Sequence, residues 1–430
     1  MLSGMETPTP PTSQRPSAVS GRVWAWAIVL GLTGQLAWAV ENMYLNVFVY
    51  NTITDDPQVL AVLVASSAAS ATLMTLLAGA WSDRVGKRRE FIALGYILWG
   101  ASTAAFGWVG AGTAAIAVIA IVLLDCLMSA LGATANDAAF NAWITDSTTP
   151  ANRGRVEGVL ATFPLLAMLL IFGALDPLTQ QGNWRLFFGI IGAATALVGI
   201  VAWARLRDGE IHEVEGAYLG SVLKGLRPST MRAQPALYLA LVTWAVFATS
   251  TQIFLPYLII YVQRFLRIAA YPLVLGSVLL GAAIISALGG RLLDRFGATR
   301  AIPVVLAIYV LGLSAMFAAR DALPVTLAGI VMMSGFMLCT AAISASVRNH
   351  TPAERAGSVQ GVRMIAATLI PMVIGPFVGA AVISGADETY VDLGVVKQVP
   401  TPWIFLAAAA LGVLVLVPTA LLRRAEKRSR

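Results

Sequence analysis

Charge is what this chain has least of. Asp, Glu, Lys and Arg together make up 12% of its 430 residues, against roughly 25% in soluble domains. With 58% hydrophobic residues and a mean hydropathy of +0.78, a water-soluble globule of ordinary composition is excluded and a polytopic membrane protein is expected. Cysteine and histidine are nearly absent too. The two cysteines, Cys126 and Cys339, fall inside apolar runs, which excludes a disulfide framework. His212 and His350 both sit in polar loops. They form no cluster with metal-ligand spacing and put no imidazole at membrane depth, so any proton chemistry falls to carboxylates. The sequence has no Walker-type phosphate loop, no nucleophile beside a base and no loop long enough for a catalytic domain. Neither an enzyme nor a bound cofactor is expected.

What the chain has instead is a succession of apolar runs, each near or above the ~20 residues needed to cross a bilayer. Residues 1–20, rich in Pro, Ser and Thr, read as a disordered tail. The first run, Trp24 to Tyr50, is too long for a signal-peptide core and has no small-residue cleavage site, so a retained helix is expected. Further runs cover 58–81, 91–110, 113–142, 155–175 and 184–204, then 236–262, 270–291, 300–319, 323–346, 357–384 and 402–422. Between the two sets lies the longest polar stretch, with Asp208, Glu210, Glu213, Glu215, Lys224, Arg227 and Arg232. The expected organisation is a tail (1–20), a six-helix bundle (21–204), a linker (205–235), a second six-helix bundle (236–422) and a basic tail (423–430).

The basic residues orient these spans. With twelve spans and both termini on one side, only Arg185, Arg264, Arg267, Arg320 and Lys397 fall on the opposite side. An excess of Lys and Arg in short loops marks the cytoplasmic face, so both termini are expected there, in a cell membrane. Basic loops against anionic lipid also account for the net charge of +7, and no nucleic acid is implied.

The turn Gly79-Ala-Trp-Ser-Asp-Arg-Val-Gly-Lys-Arg-Arg-Glu90 lies between two long apolar runs. A carboxylate at a helix end beside glycines suits either a helix cap or a lock between bundles. Gly79, Asp83, Arg84 and Gly86 recur at one constant offset as Gly290, Asp294, Arg295 and Gly297, and Thr149-Pro-Ala-Asn-Arg153 recurs as Thr351-Pro-Ala-Glu-Arg355. Two such pairs indicate a duplicated six-helix unit. The Gly-x-x-x-Asp-Arg-x-Gly-Lys-Arg-Arg pattern resembles the signature between the second and third helices of the major facilitator superfamily. That resemblance implies an all-α membrane protein of twelve transmembrane helices in two pseudo-symmetric six-helix bundles, working by alternating access. Gly79, Asp83, Arg84, Gly86 and Arg88 then form a conformational latch, with Asp83 directed at the start of the eleventh helix near Gly357 and Ser358. Arg363, just inside the eleventh span, either snorkels to the surface or faces Asp83.

Ionisable residues at membrane depth mark functional sites by default. Asp125 lies near the middle of the fourth span and shares a face with Ser129, Gly132 and Asn136, within an arc of roughly 60°. This stripe lines a cavity or packs helices closely. In the first span Gln35, Trp38, Asn42 and Asn46 share an arc of about 80°, with Glu41 at its border. An aromatic plate beside a carboxylate and amides suits the apolar face and hydroxyl rim of a sugar, although Trp38 also fits an interfacial anchor. The repeat places Gln252 opposite Glu41, with Tyr257 following. Asp125 and Glu41 are the expected proton-coupling pair. Gln35, Trp38, Glu41, Asn42, Asn46, Ser129, Asn136, Gln252 and Tyr257 are the expected substrate contacts. Asp137, Asn141 and Asp146, with Arg153 and Arg155 beyond, read as a structural salt-bridge cluster.

Ser82-Asp-Arg-Val-Gly-Lys-Arg-Arg-Glu-Phe-Ile92 is also similar to the D-x-x-G-R-R-R-P-F-I pattern of the glycoside-pentoside-hexuronide and sucrose-type cation symporters, with Glu90 where proline is usual. The resemblance implies a monomeric sugar symporter with acids on its first and fourth helices. Sodium-using relatives carry acids on the second helix, where this chain has Ser66, Ser67, Ser70, Thr72 and Thr75, so the resemblance favours protons over sodium. Proton-driven export of drugs or lipids is the alternative, and a receptor or scaffold on the same fold a further one.

Overall fold

The computed structural model describes residues 19–110, 113–208, 222, 224–351, 356–386, 388–392 and 395–428. Among them are twelve helices long and apolar enough to span a bilayer: α1 (Gly21–Thr52), α2 (Pro57–Ser82), α3 (Arg88–Trp108), α4 (Ala114–Asp146), α5 (Asn152–Gln180), α6 (Trp184–Arg205), α7 (Pro235–Phe265), α8 (Tyr271–Gly290), α9 (Ala298–Ala318), α10 (Ala322–Asn349), α11 (Gly361–Ala386) and α12 (Trp403–Lys427). Local chemistry sets their ends. The Asp56 carboxylate accepts from the Gln58 N–H at 2.8 Å and Pro57 opens α2, a side-chain cap with proline in the first turn. Gly86, at φ 66°, stops the same helix in the left-handed conformation, and its repeat partner Gly297 also has positive φ, 82°. The repeat therefore shares positive φ at both glycines, while ψ differs, 24° at Gly86 and 139° at Gly297.

Within the first half, α3 packs against α6 and α2 against α4; in the second, α9 packs against α10 and α7 against α11. The halves meet where α2 lies on α11 and α5 on α8. On the side of the termini each half is tied internally. Arg88 pairs with Asp146 at 3.1 Å, both almost fully buried, and donates to Ser82 Oγ at 2.6 Å, joining α2, α3 and α4. Arg88 thus acts inside one half, and Asp146 finds its partner there rather than in Arg153, which bonds Thr145 and Thr148. In the other half, Thr299 donates to Glu426 at 2.7 Å, and His350 Nε2 lies 3.2 Å from the same carboxylate. These partners carry α12 as a helix through Lys427, so residues read as a basic tail from 423 onward are largely helical. The linker begins with Asp208 accepting the Arg89 N–H at 2.6 Å, which caps the start of α3. The tail 1–18 and linker residues 209–221 and 223 lie outside the described residues, as does the side chain of Asp83. Gly79 faces open space, so it makes no close backbone approach.

On the far side, opposite the termini, the halves are joined by polar contacts. Arg264 donates to Asn51 at 2.6 Å, and the Tyr257 hydroxyl sits 3.0 Å from the Pro57 carbonyl. A hairpin of β1 (Thr389–Asp392) and β2 (Val395–Gln398), between α11 and α12, adds a clasp. The Gln398 N–H donates to Asp55 at 2.6 Å, and its carbonyl accepts from Tyr50. Deepest is Asp176 on α5, with no exposed surface. Its carboxylate accepts from Tyr44 at 2.8 Å, from Gln180 at 2.6 Å and, across the half boundary, from Tyr271.

A hydrogen bond to a charged group contributes about 1.5–3 kcal/mol. Tyr271→Phe is therefore expected to shift the equilibrium toward a far-side-open state by about tenfold or more. Labelling of single cysteines beside Asp176 with an impermeant maleimide measures this, and an unchanged labelling rate would show that the contact does not hold the halves together.

Candidate functional site

The polar centre of the first half is built by α1, α2, α3 and α4. Glu41 is 7% and Asp125 1% exposed. Ser129, one turn below Asp125, donates to Glu41 Oε1 at 2.5 Å, so the two acids approach from facing helices. Ser67 of α2 lies near Asp125 and donates to the Val64 carbonyl at 3.1 Å, and Ser70 donates to the Cys126 carbonyl at 2.7 Å. One oxygen of each acid, Glu41 Oε2 and Asp125 Oδ1, is buried without a hydrogen-bond partner. Two carboxyls with unsatisfied oxygens in one buried site cannot both stay ionised at low cost.

The backbone explains how these residues converge. Val40–Tyr44, which holds Glu41, and Ala133–Phe140, which holds Asn136 and Asp137, are π-helical turns inside α1 and α4. Hydrogen bonds in a π turn reach one residue further than in an α-helix, and such turns concentrate at functional sites. Each wider turn rotates the chain less per residue, which carries Glu41 from the border of its stripe into the interior and brings Asp137 toward the face of Asn136. Asp137 accordingly joins this site instead of the expected salt-bridge cluster. Asn136 donates to it at 3.4 Å, and Trp38 and Tyr96 lie nearby. The Tyr96 hydroxyl lies 2.7 Å from the Leu30 carbonyl and 3.0 Å from Asn136 Oδ1, and the Trp38 and Trp99 rings meet at 5.1 Å.

The remaining expected contacts divide. Gln35 and Trp38 are half-buried. The amide groups of Asn42 and Asn46 donate to the carbonyls of Trp38 and Asn42, at 2.8 and 3.0 Å, patching the widened turn; their N–H groups are therefore engaged by the helix itself. Gln252 is half-buried on α7 where Gly375 of α11 packs against it. Tyr257 lies away from the acids and closes the far side, its hydroxyl 3.0 Å from the carbonyls of Pro57 and Pro376. Arg84 is exposed. Arg363 is half-buried, with its guanidinium 4.8 Å above the ring of Trp244; the side chain of Asp83, its expected partner, lies outside the described residues.

The sequence reading passed over Tyr44, Tyr96, Asp176 and Tyr271. Asp176 was visible as an acid between apolar runs. The three tyrosines carry no period or motif, and only the tertiary fold brings the hydroxyls of Tyr44 and Tyr271 to Asp176 and that of Tyr96 to Asn136. Among the described residues, every π turn lies at or beside an ionisable side chain: Glu41, Asp137, Asp176, Arg264 and, two residues before Ile365–Leu369, Arg363.

The sequence profile of the Major Facilitator Superfamily matches residues 27–269 and 267–430. The chain belongs to the major facilitator superfamily. No curated protein matches it by sequence. Solved structures that it resembles include a mutant of the nucleoside transporter NupG, with 13% identity, a TM-score of 0.75 and coverage of 93% of this chain and 99% of that one. A bacterial homologue of the human lysosomal transporter Spinster is 18% identical, with a TM-score of 0.68 and coverage of 94% and 96%. The xylose transporter XylE from E. coli is 14% identical, with a TM-score of 0.65 and coverage of 93% and 97%. At these identities the likeness establishes the fold. Family and fold point to transport rather than catalysis, and imply a small-molecule substrate and a lipid bilayer around the helices.

Gly34 lets α1 approach α4 at this site, since a Cβ there would stand 2.5 Å from Asn136 Oδ1 and 2.9 Å from the Tyr96 hydroxyl. Gly34→Ala should cost about 1–3 kcal/mol through overpacking. A lowered melting temperature in detergent is the expected result, and an unchanged one would mean that the helices separate there without penalty.

Proposed function

We propose that this protein is a secondary active transporter of the cell membrane, with both termini in the cytoplasm, that carries a sugar or glycoside in symport with protons by alternating access. One observation carries the reading: two buried carboxyls, Glu41 and Asp125, bridged by Ser129 and each with an unpartnered oxygen. A proton on one of them removes the cost of moving a buried charge through an occluded state. Hydration of the site when the termini side opens provides the route for its release. Glu41, one helical turn from Trp38, also supplies an unpartnered acceptor for substrate hydroxyls. The far-side contacts around Asp176 fit the closed gate of a state open toward the cytoplasm, and the acids on α1 and α4, with none on α2, fit the proton-coupled sugar symporters that the loop pattern resembles.

A second reading, export of drugs or lipids against protons, is favoured by a different feature. A cavity of about 70 Å³ between the halves is lined wholly by apolar residues, among them Met43, Met168, Met316, Met332 and Met333. Methionine adapts to varied apolar ligands.

Transport in proteoliposomes with an imposed pH gradient separates these readings, because symport draws protons and sugar in the same direction. Asp125→Asn, which mimics the protonated form, should abolish uphill accumulation and leave counterflow exchange partly intact. Accumulation by this variant would exclude Asp125 as the essential proton carrier. Glu41→Gln should weaken substrate binding by about tenfold, the loss of one hydrogen bond to a charged group. Unaltered affinity would place the hydroxyl-reading group elsewhere.

A further inference from the structure

Another cavity, of about 330 Å³, opens between α9 and α12 at their termini-side ends. Its volume falls within the roughly 300–1,000 Å³ range of small-molecule sites. Pro303 forms its α9 wall, and along α12 it is lined by Leu416, Ala420, Arg423, Arg424 and Lys427. Those five α12 positions recur at spacings of three and four, so they share one face of the helix within an arc of roughly 100°. Along that face the chemistry changes in order. Apolar side chains come first and three cations follow, with Lys427 roughly 16 Å beyond Leu416. Leu416 is exposed, as are Val417 and Leu421 on the same helix and Val304 on α9, and in a bilayer such side chains meet acyl chains. Arg424 and Lys427 are exposed too.

Arg423 is held in place by a gap in the neighbouring helix. Pro303 lies inside α9 and has no N–H, so it cannot supply the usual helical bond to the Thr299 carbonyl. Arg423 Nε donates to that carbonyl at 3.4 Å, and its Nη2 donates to the Arg300 carbonyl at 2.7 Å. These bonds use two of the five N–H groups of the guanidinium and leave three for another acceptor. Glu426, the one acid in this stretch of α12, lies about 90° around the helix from the stripe. Its carboxylate is engaged there by Thr299 and His350. A helix dipole favours cations in a last turn, but it requires neither a cavity beneath them nor a tethered guanidinium.

We infer that this pocket holds an anionic phospholipid, with its phosphate among Arg423, Arg424 and Lys427 and its acyl chains along Leu416 and Val304. Basic pockets between helices at the membrane surface recognise such headgroups. The apolar wall continues into the bilayer, so a lipid covers it where a soluble phosphate would leave it wet. A zwitterionic lipid would bring a further cation into the cluster, which favours a head of net negative charge. The site lies in the second half at the membrane surface and is independent of what the acids of α1 and α4 carry.

The test is native mass spectrometry of the purified full-length protein in neutral detergent, titrated with dioleoyl phosphatidylglycerol, dioleoyl phosphatidylcholine or glycerol 3-phosphate. One phosphatidylglycerol should be retained more tightly than further copies, and more tightly than either other probe. The double variant Arg424→Gln with Lys427→Gln spares the tethered Arg423 and should weaken that binding about 25-fold, five-fold for each lost cation. Arg155→Gln with Lys224→Gln removes one arginine and one lysine from exposed termini-side positions elsewhere, and should leave the affinity unchanged. Equal affinity for phosphatidylcholine overturns the proposal. Equal affinity for glycerol 3-phosphate overturns it as well, because the pocket would then be a site for soluble phosphate. Unaltered binding in the Arg424/Lys427 variant, or the same loss in both double variants, would replace a built site with diffuse attraction between a basic face and anionic lipid.

Discussion

Taking a carboxylate out of water costs several kcal/mol unless donors or a proton replace the lost hydration, and α1, α4 and α5 each carry such a group into the membrane. The three helices answer this demand in two ways. Asp176 on α5 collects Tyr44, Gln180 and Tyr271 around its oxygens, with Thr179 at 3.3 Å. It is fully solvated by protein and therefore suits a fixed clamp. Glu41 and Asp125 are given fewer donors, and each keeps one bare oxygen. The same constraint, met completely in one place and incompletely in another, separates a group that holds the halves together from groups that need a proton.

The two halves share a backbone plan and differ in chemistry. Gly86 and Gly297 follow equivalent helices and both have positive φ, and α2 meets α11 as α5 meets α8. Yet the acids gather on α1 and α4, while the matching stretch of α7 offers Thr249, Ser250, Thr251 and Gln252. Ser250 is engaged by the Ala408 carbonyl at 2.6 Å and lies 3.2 Å from the Tyr309 hydroxyl. Duplication supplied the scaffold twice, and among the described residues the buried pair of acids is seen in the first copy.

Most of the fold was legible because hydrocarbon imposes a simple length rule. A run of about twenty apolar residues has few alternatives to a spanning helix, and glycines with prolines mark where it stops. The site was legible only in part. Asp125, Glu41 and Ser129 stand out because polar groups are rare at such depths. Asp137 reads as part of a salt-bridge cluster because it lies toward the cytoplasmic end of its span with Arg153 and Arg155 beyond, and the π turn at Ala133–Phe140 that sets its direction leaves no mark in the sequence. The destination of Arg88 was missed for another reason. A run of basic residues looks alike in sequence, and only the position of Asp146 tells which member turns inward.

The widened turns also have a meaning in chain length. A π turn holds one residue more than the α-helical turn it replaces. Losing a single residue from Ala133–Phe140 would therefore let α4 run on as an ordinary α-helix with its two flanks facing as before. Only the residues of the turn itself, Asn136 and Asp137 among them, would change face relative to Asp125. The extra residue thus aims the polar side chains of the turn without turning the rest of the helix.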